Sequence, residues 1–193
     1  MNLEIIIVLL YSYFLGSIPF GLILTKIFLD QDIRNIGSGN IGTTNVLRTG
    51  KKSLAIATLI LDILKAYVSV IFTLIYFNNL VYFSALICFI GHIFPIWLKF
   101  RGGKGVAAYL GIIFALSFKF GIIFSITWIL ISFLFKYSSL ASMIGALIVF
   151  AYSIILNNTT LSIFLFITFI IILYTHRENI VRLKDSKETK IKL

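Results

Sequence analysis

A single cysteine, Cys88, stands in the chain, so no intrachain disulfide can form. Histidine occurs only at positions 92 and 176, and no Cys-x-x-Cys pair exists, which leaves no ligand set for a structural zinc. Acidic residues number 7, and no motif gathers enough carboxylates for a calcium or magnesium site. Only 12% of residues are charged, about half the share in an ordinary soluble domain. That scarcity excludes a soluble globule, which would have too little polar surface to cover itself.

Apolar residues fill the space. They make up 60% of the chain, and the mean hydropathy is +1.05. Apolar runs fall at about 3–25, 54–77, 80–98, 105–118, 120–135, 140–156 and 160–175. A membrane helix needs about 20 residues, and the first three runs meet that length. The runs 105–118 and 120–135 are short, with Lys119 between them as an outer turn. The sidedness of charge decides whether they are one span or two. With seven spans and the N-terminus outside, the inner segments 26–53, 99–104, 136–139 and 176–193 hold 15 of the 17 basic residues. The other two are Lys119 and Lys65, the latter within a span. Fusing 105–135 into one span would put the basic tail outside, against the positive-inside rule. The expectation is an all-α polytopic integral membrane protein, a single membrane domain over 1–193. It has seven transmembrane helices, an outer N-terminus and a cytoplasmic C-terminus.

The net charge of +10 then belongs to membrane flanks, and no nucleic-acid module accompanies it. Residues 1–7 carry Glu4 and no basic region, so the first run reads as a retained helix. The tail from Arg177 reads as a short surface helix or a frayed end.

The stretch GSGNIG at 37–42 fits G-x-G-x-x-G, and Asp62 follows Gly42 at a ribose-binding distance in sequence. A dinucleotide loop must leave a strand and enter a helix of a βαβ unit. This one leaves an apolar span and a polar connector, and Asp62 lies inside the next span. The dinucleotide reading fails on context.

Four polar clusters share one membrane face in the seven-span arrangement: 38–48, 91–95 with 99–107, 137–142, and 176–183. Their chemistry suits anions. Gly39, Gly42, Gly102, Gly103 and Gly105 let backbone N–H groups approach an oxyanion. Ser38, Asn40, Thr43, Asn45, Ser139 and Ser142 add neutral donors, and Arg48 and Lys104 add fixed charge. Each cluster also has a plain structural reading. The glycines suit a tight connector, and Lys99, Arg101 and Lys104 suit a positive flank. His92 suits a hydrogen bond between helices, and Ser139 with Ser142 suits helix packing. Asp62 and Lys65, three residues apart, suit an ion pair within the span. A transporter of a phosphorylated anionic solute is the alternative to an enzyme, although no internal repeat is visible.

In this order the clusters resemble the bacterial acyl-phosphate:glycerol-3-phosphate acyltransferases. SGNIGTTNVLR (38–48) resembles the first motif of that family and GHIFPIWLKFRGGKGVA (91–107) the second. YSSLAS (137–142) and HRENIVRL (176–183) resemble the later signatures. The resemblance covers about residues 34–184. One departure is Ser186, where the family often has glycine.

The resemblance implies a multi-pass enzyme of the bacterial cytoplasmic membrane. It implies transfer of a long-chain acyl group from acyl phosphate to the sn-1 hydroxyl of glycerol 3-phosphate. The products are lysophosphatidic acid and phosphate, in the first acylation of phospholipid synthesis. Membrane lipid is the third partner implied; no cofactor and no metal is. Lys104, His176, Asn179 and Ser142 are expected to carry the chemistry. Ser38, Gly39, Asn40, Gly42, Thr43, Asn45, Arg48, His92, Gly102, Gly103, Gly105, Ser139 and Glu178 are expected around the substrates. Glu178, the only acid within the clusters, reads as an organiser and His176 as a candidate general base.

Overall fold

The computed structural model describes residues 3–156 and 158–191, and every regular element in them is helical. The chain divides into two compact units, Met1–Leu116 and Ser117–Leu193.

In the first unit, α1 (Leu3–Gly16) and α2 (Phe20–Leu29) replace the single helix expected over 3–25. The break is Pro19, which has no N–H to donate and pushes Ile18 away from helical geometry. A short helix, α3 (Thr43–Val46), lies in the connector to α4 (Lys52–Tyr76). At 25 residues, α4 is about 37 Å long, more than the hydrocarbon core of a bilayer. Two further helices follow, α5 (Val81–Ile93) and α6 (Val106–Leu116). Helix α4 packs against α1, α5 and α6.

A seam of hydroxyl groups joins α1, α4 and α5. Ser12 Oγ lies 2.8 Å from Ser84 Oγ, Thr73 donates to Ser84 at 2.7 Å, and Tyr11 meets Thr73. Where lipid competes for apolar contact as well as any neighbour does, such bonds help specify helix pairing.

The second unit holds α7 (Phe118–Phe135), α8 (Ser138–Ile155), α9 (Thr159–Thr175) and α10 (Arg177–Lys184). The chain breaks between α6 and α7 at Ser117, whose backbone is extended. Lys119, expected at that turn, sits in the first turn of α7 with its ammonium 4.9 Å from the centre of the Tyr152 ring. A lysine can stay helical there because its long stem carries the charge out of the apolar layer. Lys136 closes α7 in a left-handed conformation, donating its N–H to Ser132 O, and α8 begins two residues later.

Among the described residues, five segments are long and apolar enough to cross a membrane: Leu3–Leu29, Lys52–Tyr76, Asn78–Leu98, Phe118–Phe135 and Ser138–Ile155. A sixth arises if α9 and α10, bent by 60°, count as one. Helix α6, with 11 residues, spans only about 16 Å. Large apolar side chains such as Ile129, Phe133 and Leu134 stand exposed on α7, as suits a surface solvated by lipid. The chain is a multi-pass helical membrane protein.

Helix α10 ends in a left-handed turn at Ser186, φ 57°. Ser186 N–H donates to Leu183 O and Lys187 N–H to Arg182 O, the pair of bonds that closes a Schellman motif. Glycine takes that conformation without a Cβ penalty, which gives the departure at Ser186 a physical meaning. Ser186→Gly is expected to stabilise the protein by about 1 kcal/mol, read as a higher melting temperature in detergent.

Candidate functional site

The first unit carries two of the four clusters, and Asn45 is the hub of one. Its side chain is buried. The amide nitrogen lies 3.0 Å from Ile33 O, 2.9 Å from Ile36 O and 2.8 Å from Asn40 O. Its oxygen accepts the Ser38 N–H at 3.0 Å and the Arg48 guanidinium at 3.4 Å. One side chain thus folds residues 33–48 around itself and orients Arg48. Gly37 is required beside it: φ is +56°, and a Cβ would stand 2.6 Å from Asn45 Oδ1. Ser38, Gly39 and Arg48 are exposed, and Asn40 and Gly42 are half-buried. The hydroxyl of Thr43, at the start of α3, is buried without a hydrogen-bond partner.

Just before this loop, Asp32 receives the Arg34 guanidinium through both carboxylate oxygens. Those hydrogen bonds hold the Asp32 carboxyl down at about 2.

The second cluster folds back on the end of α5. Gly102 N–H donates to Ile93 O at 2.9 Å and Gly103 N–H to His92 O at 3.1 Å. These carbonyls end a helix and need donors. Gly39 N–H likewise donates to Ile36 O, and Gly42 N–H to Asn40 Oδ1. Four of the N–H groups expected to face phosphate are therefore engaged within the loops. Their glycines contribute shape. At Gly103 a Cβ would stand 2.1 Å from His92 Nε2, so backbone and imidazole are in contact. Lys104 follows, half-buried, and Gly105 leads into α6.

Beneath this loop lies the pair expected from the i, i+3 spacing. Lys65 Nζ is 2.7 Å from Asp62 Oδ1, with both side chains almost completely buried. Lys65 also donates at 2.6 Å to Ile18 O, at the break before α2. His92 Nδ1 is 3.8 Å from the same Asp62 oxygen. His92 thus stands between the buried pair and the glycine loop.

The second unit carries the other two clusters. Ser142 is buried in α8, donating to Ser138 O at 2.8 Å and accepting from the Trp128 indole at 3.1 Å. His176 is buried at the elbow between α9 and α10. Its Nδ1 lies 2.8 Å from Ile172 O. A carbonyl can only accept, so Nδ1 carries the proton and Nε2 is the acceptor nitrogen of the neutral ring.

Glu178, expected as the organising acid, has a side chain 71% exposed and meets Arg182 at 3.8 Å. The acid that organises this cluster is Glu188, which the sequence reading missed. Ser139 Oγ donates to its Oε1 at 2.8 Å and Asn179 Nδ2 to the same oxygen at 2.6 Å. Arg182 Nε donates to Oε2 at 2.8 Å. Burial pushes the Glu188 carboxyl up, but the bonds from Arg182, Asn179 and Ser139 bring it below its ordinary value. What those bonds add to stability is present above the ordinary carboxylate range and is lost as pH falls through the lowered value. Its one signal in the sequence is that it is an acid in a basic tail, a signal that Asp185 shares. Among the described residues no three His, Cys, Asp or Glu side chains gather where a metal could be held.

Residues 6–186 match the family described as glycerol-3-phosphate acyltransferase. The glycerol-3-phosphate acyltransferase of Pelagibacter ubique is 54% identical over 191 residues, 99% of this chain and 100% of the relative. That of Mesorhizobium japonicum is 45% identical over 191 residues, 99% and 98% of the two chains. Among solved structures, PlsY (YgiH), an integral membrane glycerol 3-phosphate acyltransferase, aligns in its glycerol 3-phosphate form. The TM-score is 0.93 and the identity 32%, over 98% of this chain and 96% of that one. Its lysophosphatidic acid form aligns with a TM-score of 0.90 at 30% identity, with the same coverage.

Proposed function

The chain belongs to the glycerol-3-phosphate acyltransferase family, and on that premise we propose that its acyl donor is a long-chain acyl phosphate. The protein is an acyltransferase whose acceptor is glycerol 3-phosphate. The observation that carries this function is the match, over nearly the whole chain, to an enzyme structure in its glycerol 3-phosphate form.

The proposed reaction balances simply. The sn-1 hydroxyl oxygen attacks the acyl carbonyl carbon and a new ester C–O bond forms. The bond from that carbon to the phosphate oxygen breaks, and inorganic phosphate leaves with the electron pair. Acyl phosphate is a mixed anhydride with a good leaving group, so no covalent enzyme intermediate is required. Positioning and charge neutralisation supply the rate.

Lys104 and Arg48 are assigned to phosphate charge. Ser38, Asn40 and Thr43 are assigned to hydrogen bonds with substrate, and Asn45 orients Arg48. Gly39, Gly42, Gly102, Gly103 and Gly105 shape the loops, and His92 supports the loop that carries Lys104. Ser139, Ser142, His176, Glu178 and Asn179 are assigned to the same reaction, with His176 Nε2 as the acceptor of the hydroxyl proton. The proposed setting is the bacterial cytoplasmic membrane, as a single membrane domain with seven spans, an outer N-terminus and motifs facing the cytoplasm. The acyl chain then reaches the protein from the lipid phase.

A donor competition tests this. Purified protein receives glycerol 3-phosphate, hexadecanoyl phosphate and heptadecanoyl-CoA together, and mass spectrometry identifies the product. Hexadecanoyl product alone is expected. Heptadecanoyl product alone would keep the acyltransferase and overturn the donor.

A further inference from the structure

Beyond α10 the chain does not run off into solvent. The left-handed turn at Ser186 reverses it, and Glu188 enters the protein with a side chain only 8% exposed. Three residues on, Ile191 N–H donates to Lys136 O at 2.8 Å, which fastens the tail to the turn between α7 and α8. Lys190 lies 6.0 Å from the centre of the Tyr137 ring. A tail held at these points places one carboxylate where three donors meet.

Those donors come from two helices. Ser139 is in the first turn of α8, and Asn179 and Arg182 are on one face of α10, three residues apart. A carboxylate is the side chain that can accept from a hydroxyl, an amide and a guanidinium at once and also balance the guanidinium charge. An amide N–H bonded at 2.6 Å fixes the plane of the Asn179 carboxamide and so the direction of its other polar groups. The hydroxyl of Ser139 is fixed in the same way. Without the carboxylate, Asn179 and Ser139 each lose a hydrogen bond that orients them, and Arg182 keeps the longer 3.8 Å contact to Glu178.

We propose that Glu188 is a positioning residue for acyl transfer: its carboxylate sets the orientation of Asn179 and Ser139, and through them the binding of a substrate phosphate. It does not touch substrate. The proposal rests on the assignment of Asn179 and Ser139 to the reaction.

The test is steady-state kinetics of the purified full chain with glycerol 3-phosphate and palmitoyl phosphate, each varied in turn. Four proteins are compared: wild type, Asn179→Ala, Glu188→Ala and the double variant. Glu188→Ala is expected to raise KM for one phosphate substrate about tenfold, the size of effect seen when an outer-shell partner of a functional ligand is lost. Asn179→Ala is expected to raise the same KM, and the double variant to raise it by less than the product of the two single effects, because the part of the Glu188 effect that runs through Ser139 remains. A lower kcat with both KM values unchanged would mean fewer folded molecules, and would overturn the proposal. So would wild-type kinetics in Glu188→Ala.

If the alanine variant fails to fold, Glu188→Gln decides. It keeps an acceptor for Ser139 and Asn179 but sets an amide against Arg182. A KM shift of about threefold is expected there, short of the roughly tenfold cost of losing such a partner whole because two of the three donors keep an acceptor, and unchanged kinetics would overturn the proposal. If the wild type makes product but Asn179→Ala matches it, the assignment beneath the proposal fails first, and the proposal with it.

Discussion

Lys104→Ala is expected to lower kcat/KM for acyl transfer to glycerol 3-phosphate by about a thousandfold, with the protein still folded. Removal of one well-placed donor to developing charge costs about 10²–10³ in rate, and Lys104 supplies a full charge. Its backbone is held by the residues just before it. The preceding glycines donate to the last carbonyls of α5, and Gly103 abuts the buried His92 ring. The ammonium therefore hangs on a fixed support, and its loss is not repaired by loop movement. Lys104→Arg keeps the charge but spreads it over a planar fork, so partial recovery is expected. The check is initial-rate kinetics beside a melting curve for each variant. A folded alanine variant within tenfold of wild type would remove Lys104 from the chemistry.

Asp62→Ala is expected to be the most destabilising single change among the polar residues discussed. It would leave the Lys65 ammonium buried with no carboxylate, facing the Ile18 carbonyl and the Phe20 ring 5.6 Å away. Breaking a buried pair from one side costs about 3–5 kcal/mol. For a chain of this size that is a fall in melting temperature of roughly 10 °C or more. The same break would free His92 from its neighbour on α4 and loosen the support of the glycine loop. Replacing both partners, Asp62→Ala with Lys65→Met, removes the stranded charge and is expected to recover most of the loss. Thermal unfolding in detergent checks both. Equal losses in the single and double variants would mean that the pair is not what stabilises this region.

The class of the protein was legible because membrane helices leave long apolar runs and their flanks collect basic residues. The four clusters were legible because glycine, small polar residues and Lys or Arg interrupt those runs. The finer breaks were hidden for physical reasons. Pro19 sits within a continuous apolar run, so hydropathy shows one helix where Ile18 and Pro19 make two. Lys119 is the charged residue in its region, yet the helix breaks at Ser117, because a lysine can remain helical and carry its charge outward. The glycine loops were readable as loops, but the use of their N–H groups was not. Whether a loop N–H meets a substrate or the end of a neighbouring helix is decided by tertiary folding. Asn45 looked like one donor among several, and only the fold gathers four backbone groups around it. Glu188 was invisible for the same reason. An acid among lysines, like Asp185 three residues before it, resembles a solvated tail until the turn at Ser186 brings it back to Asn179.

The most direct measurement gives purified, folded protein radiolabelled glycerol 3-phosphate and palmitoyl phosphate, and follows both products. Lysophosphatidic acid and inorganic phosphate are expected in equal amounts from the first turnover. Phosphate released without lysophosphatidic acid, or neither product from a folded sample, would contradict acyl transfer from acyl phosphate to glycerol 3-phosphate.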